Sequence, residues 1–136
     1  MKRKILIVED NVGLSQIQKD WLSRAGYDAV TAMSEPIARS LIRKTQFDLI
    51  LSDVRLPEGD GISLLEWLRK EKKDIPFIIT TEFVSVPDVV RTIKLGARDY
   101  LPKPVHREHL LELAEDVFHL VATVRKQERQ LFRRIS

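Results

Sequence analysis

Three carboxylates, one hydroxyl group and one ammonium group stand at the ends of short apolar segments of this sequence. They are the Glu9–Asp10 pair after residues 4–8, Asp53 after residues 49–52, Thr80 after residues 77–79 and Lys103 after residues 99–101. Short apolar runs are typical of buried parallel strands, and open α/β sheets bind ligands at the carboxyl ends of such strands. The sequence therefore predicts that these polar groups meet in one crevice.

The chemistry that this set favours is the binding of a divalent cation and a phosphoryl group. Glu9, Asp10 and Asp53 would bring up to three negative charges together, and such a cluster needs a compensating cation. Oxygen ligands and the absence of cysteine favour Mg²⁺, or Mn²⁺, over zinc or copper. Lys103 suits a phosphoryl oxygen, and Thr80 would add a hydroxyl donor. A carboxylate in these surroundings can accept a phosphoryl group and form an aspartyl phosphate.

Strand-like segments alternate with helical segments along the whole chain, which predicts a doubly wound α/β domain with five parallel strands and five helices. A second strand is expected at residues 28–32, and helices are expected to begin near Ser34, Asp60 and Ser85. Helical spacing predicts two buried helix faces. The first consists of Leu14, Ile17, Trp21, Leu22 and Ala25, and the second of Ile37, Ala38, Leu41 and Ile42.

Length and composition indicate a single globular domain with an unevenly distributed charge. The 136 residues include no cysteine, which excludes disulfides and thiolate metal sites. The net charge is +3, but residues 124–136 alone carry +4, so the remaining residues are close to neutral. The apolar run before Glu9 is too short for a signal peptide, and no later segment is apolar enough to span a membrane. We therefore expect a cytoplasmic protein.

The last helical pattern, which starts near Arg107, is longer than one small sheet can cover. A heptad spacing runs through it at Leu110, Leu113, Val117, Leu120, Val124, Gln127 and Leu131. We expect residues 1–118 to form the globular domain and residues 119–136 to form a helical extension that pairs as a coiled coil. This pattern predicts a homodimer through the last helix. The three histidines lie in or next to this helix and are interpreted as surface residues.

Four segments resemble the receiver domain of two-component response regulators, which has the CheY-like fold. They are residues 5–10, 53–61, 78–80 and 96–104, and the likeness extends from residue 4 to about residue 118. It implies a strand order of 2-1-3-4-5, with Asp53 as the phosphoacceptor. Asp10 would bind Mg²⁺ directly, Glu9 would assist through water, and the backbone carbonyl of Arg55 would complete the shell. Lys103 would pair with the phosphoryl group and precede a cis peptide bond.

The same resemblance implies a conformational switch and a set of partners. Thr80 and Tyr100 would be the switch pair that relays phosphorylation to the face formed by the fourth helix, fifth strand and fifth helix. A sensor histidine kinase would supply the phosphoryl group. The segments around Asp53 and residues 86–97 are most similar to receivers of NtrC/DctD-type transcriptional activators. An ATPase or DNA-binding output domain would then lie outside this sequence; a stand-alone single-domain regulator is the alternative.

Several positions depart from the common receiver pattern without removing a chemical group. Thr81 stands where a smaller residue is usual, and Glu82–Phe83 replaces a smaller, more flexible stretch. His106 replaces a common helix-capping residue, which weakens the cap. Arg55 is expected to reach toward the mouth of the site, where it would alter the rate of dephosphorylation.

Two other functions remain as alternatives. Phosphatases and mutases that form an aspartyl phosphate commonly carry a second acid two residues after the nucleophile, but Arg55 occupies that position, so we expect no enzyme. The basic tail would suit a polyanion such as nucleic acid or an anionic membrane. Its heptad spacing fits a coiled coil at least as well, so neither nucleic-acid nor membrane binding is expected of this domain.

Overall fold

The central sheet has five parallel strands. A computed structural model describes residues 2–135, except for the side chain of Val121. The strands are β1 (Lys4–Val8), β2 (Asp28–Ala32), β3 (Leu49–Asp53), β4 (Phe77–Thr81) and β5 (Asp99–Pro102). Their order is β2-β1-β3-β4-β5, with every neighbouring pair parallel, which confirms the predicted sheet. A short antiparallel ladder between Arg55–Leu56 and Gly59–Asp60 follows β3.

Five helices connect and flank the strands. They are α1 (Val12–Arg24), α2 (Glu35–Lys44), α3 (Gly61–Lys70), α4 (Val86–Lys94) and α5 (Arg107–Ile135). Side chains of Asn11, Ser34 and Asp60 accept backbone hydrogen bonds at the starts of the first three helices. Ser85 precedes α4 but makes no such bond, and Pro87 in the first turn suits a helix start. Helices α2, α3 and α4 therefore begin where the sequence signals predict.

Hydrophobic side chains fill both faces of the sheet. Successive residues of a strand point to opposite faces. Leu6, Val8 and Ile50 pack on one face with α2 and α3, whereas Ile5 and Ile7 pack on the other with α1 and α5. The helices that cover both faces hold the strands in position. The carboxyl ends of the strands remain as an edge where polar side chains can lie together.

Two predicted helix faces are partly wrong. Ile17 is 48% exposed and Ile37 is 49% exposed. In α1 the buried residues are Ser15, Gln18 and Leu22. Each residue of a helix is turned about 100° from the one before, so burial of Gln18 directs Ile17 away from the sheet, and burial of Ala38 does the same to Ile37. Ala25, also predicted to be buried, is an exposed C-cap residue.

The long helix α5 changes its surroundings along its length. Leu110, Ala114, Val117 and Phe118 are buried against the sheet. We call residues 119–135 the α5 extension. Within it, Leu120 is 44% exposed, and Val124 and Leu131 are also exposed. None of the described helices combines the length and the apolar character needed to cross a bilayer.

Candidate functional site

The first pair of acids lies in the connection between β1 and α1. The backbone N–H of Glu9 donates to the carbonyl of Ala32, which continues the pairing of β1 with β2. Glu9 is only 3% exposed, and its Oε2 accepts a hydrogen bond of 3.1 Å from the backbone N–H of Asn11. Asp10 is exposed beside it. One acid is therefore fixed by the backbone, while the other faces solvent at the same edge.

Asp53 ends β3 directly opposite Thr80 in the register of β4. Asp53 is 9% exposed, and its Oδ1 lies 3.3 Å from the backbone N–H of Arg55, which donates to it. The chain then turns closely into α3, where a Cβ added at Gly61 would overlap the carbonyl oxygen of Asp53. Only glycine fits this approach, so Gly61 helps to set the position of Asp53.

Lys103 joins the two buried acids. Its backbone N–H donates to the Thr81 carbonyl, and the following bond to Pro104 is cis, as the resemblance implies. The ammonium Nζ lies 2.6 Å from Glu9 Oε1 and 2.9 Å from Asp53 Oδ2. Its side chain is only 10% exposed. These are short, charge-assisted hydrogen bonds in a largely water-excluded position.

Burial and pairing shift the pKa values of two of these groups. Desolvation raises the pKa of the Glu9 carboxyl above its ordinary value, although its bonds to Lys103 and Asn11 act in the opposite direction. Burial works to lower the pKa of Lys103, but its hydrogen bonds to Glu9 and Asp53 outweigh burial and raise that pKa. Lys103 therefore stays protonated at neutral pH, and Glu9 ionises less readily than an exposed glutamate.

The acidic cluster suits a hard divalent cation. Carboxylate oxygens of Glu9, Asp10 and Asp53 lie within 4.8 Å of one another. Lys103 offsets one of their three charges when all are ionised, which leaves two negative charges for a cation to neutralise. Mg²⁺ is commonly bound by one or two carboxylates together with water and phosphate oxygens. The donor set and its charge therefore fit Mg²⁺.

The two residues of the expected switch lie on neighbouring strands. Thr80 is 2% exposed at the end of β4, and Tyr100 lies in β5 opposite Ile79. Tyr100 is half-buried and packs against the core on the α3 side of the sheet. Within the described part of the chain, its hydroxyl is buried and has no hydrogen-bond partner. An unsatisfied buried hydroxyl carries a desolvation cost that another ring position could relieve.

A contact between Arg55, which follows β3, and Phe83, which follows β4, is absent from the sequence-based prediction. The guanidinium carbon of Arg55 lies 5.0 Å from the centre of the Phe83 ring. Thr81 fixes the loop that carries this ring, because its hydroxyl donates to the Phe83 carbonyl and accepts from the Phe83 N–H. The sequence marked all three positions as unusual. Their mutual contact depends on loop geometry, which residue spacing does not specify.

A separate cleft of about 560 Å³ lies at the opposite edge of the sheet, near the amino ends of the strands. Its lining includes Phe47, Pro76, Phe118 and Arg125. None of the residues of the acidic cluster lines it. The cleft is therefore not the candidate functional site. We assign that site from its charged groups and not from cavity volume.

The described geometry agrees with comparisons to known proteins. The sequence profile of the response regulator receiver domain matches residues 5–115. The chain belongs to this family. As a receiver domain, it is a phosphoacceptor of the two-component type. Receiver domains typically bind Mg²⁺, and receiver domains of transcriptional regulators are generally not enzymes.

Curated relatives include transcriptional regulators much longer than this chain. The transcriptional regulatory protein ZraR of Salmonella typhimurium is 40% identical over 114 residues, which cover 84% of this chain and 26% of that protein. The response regulator protein PilR of Pseudomonas aeruginosa is 32% identical over 119 residues, which cover 88% of this chain and 27% of that protein. The chain thus spans about a quarter of the length of these relatives.

Solved structures of receiver domains share the fold over nearly their whole length. A CheY-like receiver domain protein from Methanospirillum hungatei superposes with a TM-score of 0.83 at 30% identity, covering 88% of this chain and 96% of that one. The non-phosphorylated HemR receiver domain from Leptospira biflexa gives 0.80 at 37% identity, covering 85% and 94%. The receiver fold therefore accounts for most of the chain.

Proposed function

We propose that Asp53 of this receiver domain accepts a phosphoryl group from a phosphohistidine of a sensor histidine kinase. The observation that carries this assignment is the contact of Lys103 Nζ with Asp53 Oδ2 and Glu9 Oε1 inside the acidic cluster. Among the three acids, Asp53 combines burial, a direct contact with the lysine and a position opposite Thr80. We infer that this phosphoryl transfer takes place in the cytoplasm.

The cation site uses the same acids. Asp10 and Asp53 would bind Mg²⁺ directly, Glu9 would act through a water molecule, and the backbone carbonyl of Arg55 would complete the protein ligands. When bound, Mg²⁺ (or Mn²⁺) supplies positive charge to the equatorial oxygens of the transferred phosphoryl group. The carboxylate oxygens of Glu9, Asp10 and Asp53, which lie within 4.8 Å of one another, support this assignment.

Each side chain of the site has a separate role in the phosphoryl transfer. A bond forms between an Asp53 carboxylate oxygen and phosphorus as the bond from phosphorus to the kinase histidine nitrogen breaks. Lys103 would hold a phosphoryl oxygen through its ammonium group, and Thr80 would donate its hydroxyl to another. No proton has to leave Asp53, so orientation and charge neutralisation are the main requirements.

The proposed response is a change in the α4–β5–α5 face. Thr80 moves toward the phosphoryl group, and the Tyr100 ring turns into the space that this movement opens. The buried hydroxyl of Tyr100 supports this step, since a hydroxyl without a partner gains when the ring moves to a position where the hydroxyl meets another polar group. A local change of charge is thereby converted into a new surface for a partner.

The output we propose is control of transcription through a domain outside this sequence, as in the regulators that the chain resembles. Residues 1–118 act as the receiver, and residues 119–136 act as a linker helix that forms a homodimeric coiled coil. The exposed Leu120, Val124 and Leu131 on the described part of that helix support the pairing.

A stand-alone regulator that acts by protein–protein contact is the second candidate, supported by the exposed apolar side chains of α4.

The test is phosphoryl loading of the full chain from acetyl phosphate, followed by intact mass. We expect a gain of one phosphoryl group that requires Mg²⁺ and is lost in Asp53→Asn. Asp10→Asn should reduce loading by weakening the metal site, whereas Asp20→Asn, an exposed acid of α1, should leave it unchanged. Equal loading of the wild type and Asp53→Asn would contradict the assignment.

A further inference from the structure

The cleft at the amino edge of the sheet has the size of a ligand pocket and walls from two parts of the chain. Its volume is about 560 Å³, and pockets for small ligands commonly measure about 300–1,000 Å³. Phe47, Ile75 and Pro76 belong to segments that lead into β3 and β4, whereas Val124 and Arg125 belong to the α5 extension. The cleft therefore lies between the receiver domain and the extension.

Positive charge predominates in the lining of this cleft. Three acidic residues line it, Asp48, Asp74 and Glu128, against six cationic residues. Those six are Arg3, Arg43, Lys44, Lys73, Arg98 and Arg125. The cleft thus carries an excess of three positive charges, although residues 1–123 are close to neutral as a whole. Such a concentration of positive charge favours an anionic ligand.

The charges of the cationic side chains are available to such a ligand. Within the described part of the chain, none of the six forms a salt bridge with a carboxylate. The guanidinium carbon of Arg3 lies 4.9 Å from the centre of the Phe118 ring. That of Arg43 lies 5.2 Å from the centre of the Trp67 ring. An aromatic face attracts a cation without removing its charge. Three of the six are exposed to solvent: Lys44, Arg98 and Arg125.

Hydrogen bonds hold the domain side of the cleft in place. Oδ2 of Asp48 accepts a hydrogen bond of 2.7 Å from the backbone N–H of Lys4, and the Asp48 N–H donates to the Lys4 carbonyl. Arg69 donates from Nη1 to the carbonyls of Lys73 and Ile75, at 2.9 and 3.1 Å. These bonds fix the segments that carry the lining residues, so a ligand would meet walls that are already ordered.

Apolar side chains in the lining favour a ligand that is more than a bare anion. Ile75 and Pro76 are half-buried, and Val124 is 43% exposed. A phosphate ion would leave this apolar surface in water, whereas a planar ring could bury it. Guanidinium groups such as those in this cleft also stack on planar rings. The lining therefore suits a ligand that combines a ring with several phosphate groups.

We propose that this cleft binds a nucleoside polyphosphate, with the phosphates among the cationic side chains and the base against the apolar ones. A ligand in this position contacts both walls and holds the α5 extension against the receiver domain. The cleft shares no residue with the acidic cluster, so the proposal does not depend on phosphorylation of Asp53.

Isothermal titration calorimetry of the full chain with ATP tests the proposal. The buffer contains EDTA, which keeps divalent cations away from the acidic cluster. The chain is kept at a concentration where it is monomeric, because Val124 also belongs to the proposed coiled-coil seam. We expect one ATP to bind per chain, with an affinity that falls as the salt concentration rises. Inorganic tripolyphosphate, which lacks the base, should bind at least about tenfold more weakly than ATP.

Matched variants locate the binding in the cleft. Arg98→Gln and Arg125→Gln each remove one charge from the lining and should weaken ATP binding about threefold to tenfold, as expected for a partly screened, charge-assisted hydrogen bond. Lys126→Gln removes the same charge from the next position of the helix, but Lys126 does not line the cleft, so ATP binding should be unchanged. Circular dichroism checks that each variant is folded.

Four results would overturn the proposal. The first is that ATP does not bind to the full chain. Equal affinities for ATP and tripolyphosphate would show that the cleft recognises charge alone. An equal loss of affinity in Lys126→Gln and Arg125→Gln would show that the basic helix attracts anions without a defined site. Tighter binding of a short DNA duplex than of ATP, weakened by the same two cleft variants, would assign the cleft to a nucleic-acid backbone instead.

Discussion

The carboxyl edge of the sheet and the α5 extension differ in which side chains they bury and which they expose. At the sheet edge, Glu9 and Asp53 are buried charged groups, yet Lys103 and backbone N–H groups contact their oxygens. In the extension, Leu120 and Val124 are apolar but substantially exposed. Buried charges that are already paired make a site within one chain, whereas exposed apolar residues at heptad spacing gain stability only from another surface.

The largest expected contrast between the two regions is in stability. Phe77 is fully buried at the start of β4, and Phe77→Ala should lower the free energy of unfolding by about 3–5 kcal/mol through lost burial and a cavity. Leu131→Ala in the exposed extension should change it by less than about 0.5 kcal/mol. Urea unfolding followed by circular dichroism, at a concentration where the chain is monomeric, measures both. A similar loss of unfolding free energy in the two variants would contradict the distinction between a buried sheet and an exposed extension.

The next contrast concerns association. Replacing both Leu120 and Val124 with serine should weaken self-association at least about tenfold, because each substitution removes apolar area from the proposed seam. Sedimentation equilibrium of the full chain measures the effect. Gln130→Ser lies off the heptad spacing and should leave the dimer intact. A wild-type chain that stays monomeric at high concentration would show that the extension does not pair with itself.

The smallest expected effect is a pH dependence of stability at the junction between the receiver domain and the α5 extension. The ring of Tyr27 lies 5.4 Å from that of Phe118, the last buried residue before the extension. Burial raises the pKa of the Tyr27 phenol, Glu115 adds to the rise, and Arg3 opposes it. Folding therefore favours the neutral phenol. Its contribution to stability is complete below the ordinary pKa of about 10 and is lost as the pH rises through the higher folded-state value.

Tyr27→Phe removes this titration while keeping the ring. Relative to this variant, the wild type should lose thermal stability between pH 8 and pH 11, and the difference between their melting temperatures should change accordingly. A difference that is constant across this range would show that Tyr27 does not contribute a pH-dependent term at the junction.

The sequence predicted the strands and helix starts because their signals are local. Short apolar runs followed by Asp53 or Lys103, and capping residues such as Ser34 and Asp60, need no knowledge of distant contacts. The exposure of Ile17 was not predictable in this way, because several helix faces carry apolar residues and packing selects one of them. The Arg55–Phe83 contact likewise depends on how two loops approach each other in space.

The candidate site was predictable as a set of residues, but its internal bonding was not. Parallel strands bring Glu9, Asp53 and Lys103 to one edge whatever their rotamers. That Lys103 bridges both acids, and that Thr81 fixes the neighbouring loop, follows only from the side-chain geometry. The roles of these residues in phosphoryl transfer remain predictions.

The most direct test of the central assignment is to locate the phosphoryl group on the loaded full chain. Reduction with borohydride converts an aspartyl phosphate to homoserine, and peptide mass spectrometry then identifies the modified position. We predict homoserine at position 53 alone, formed only in samples loaded with acetyl phosphate and Mg²⁺. Modification at position 9 or 10, or at none of the acids, would contradict the assignment of Asp53 as the phosphoacceptor.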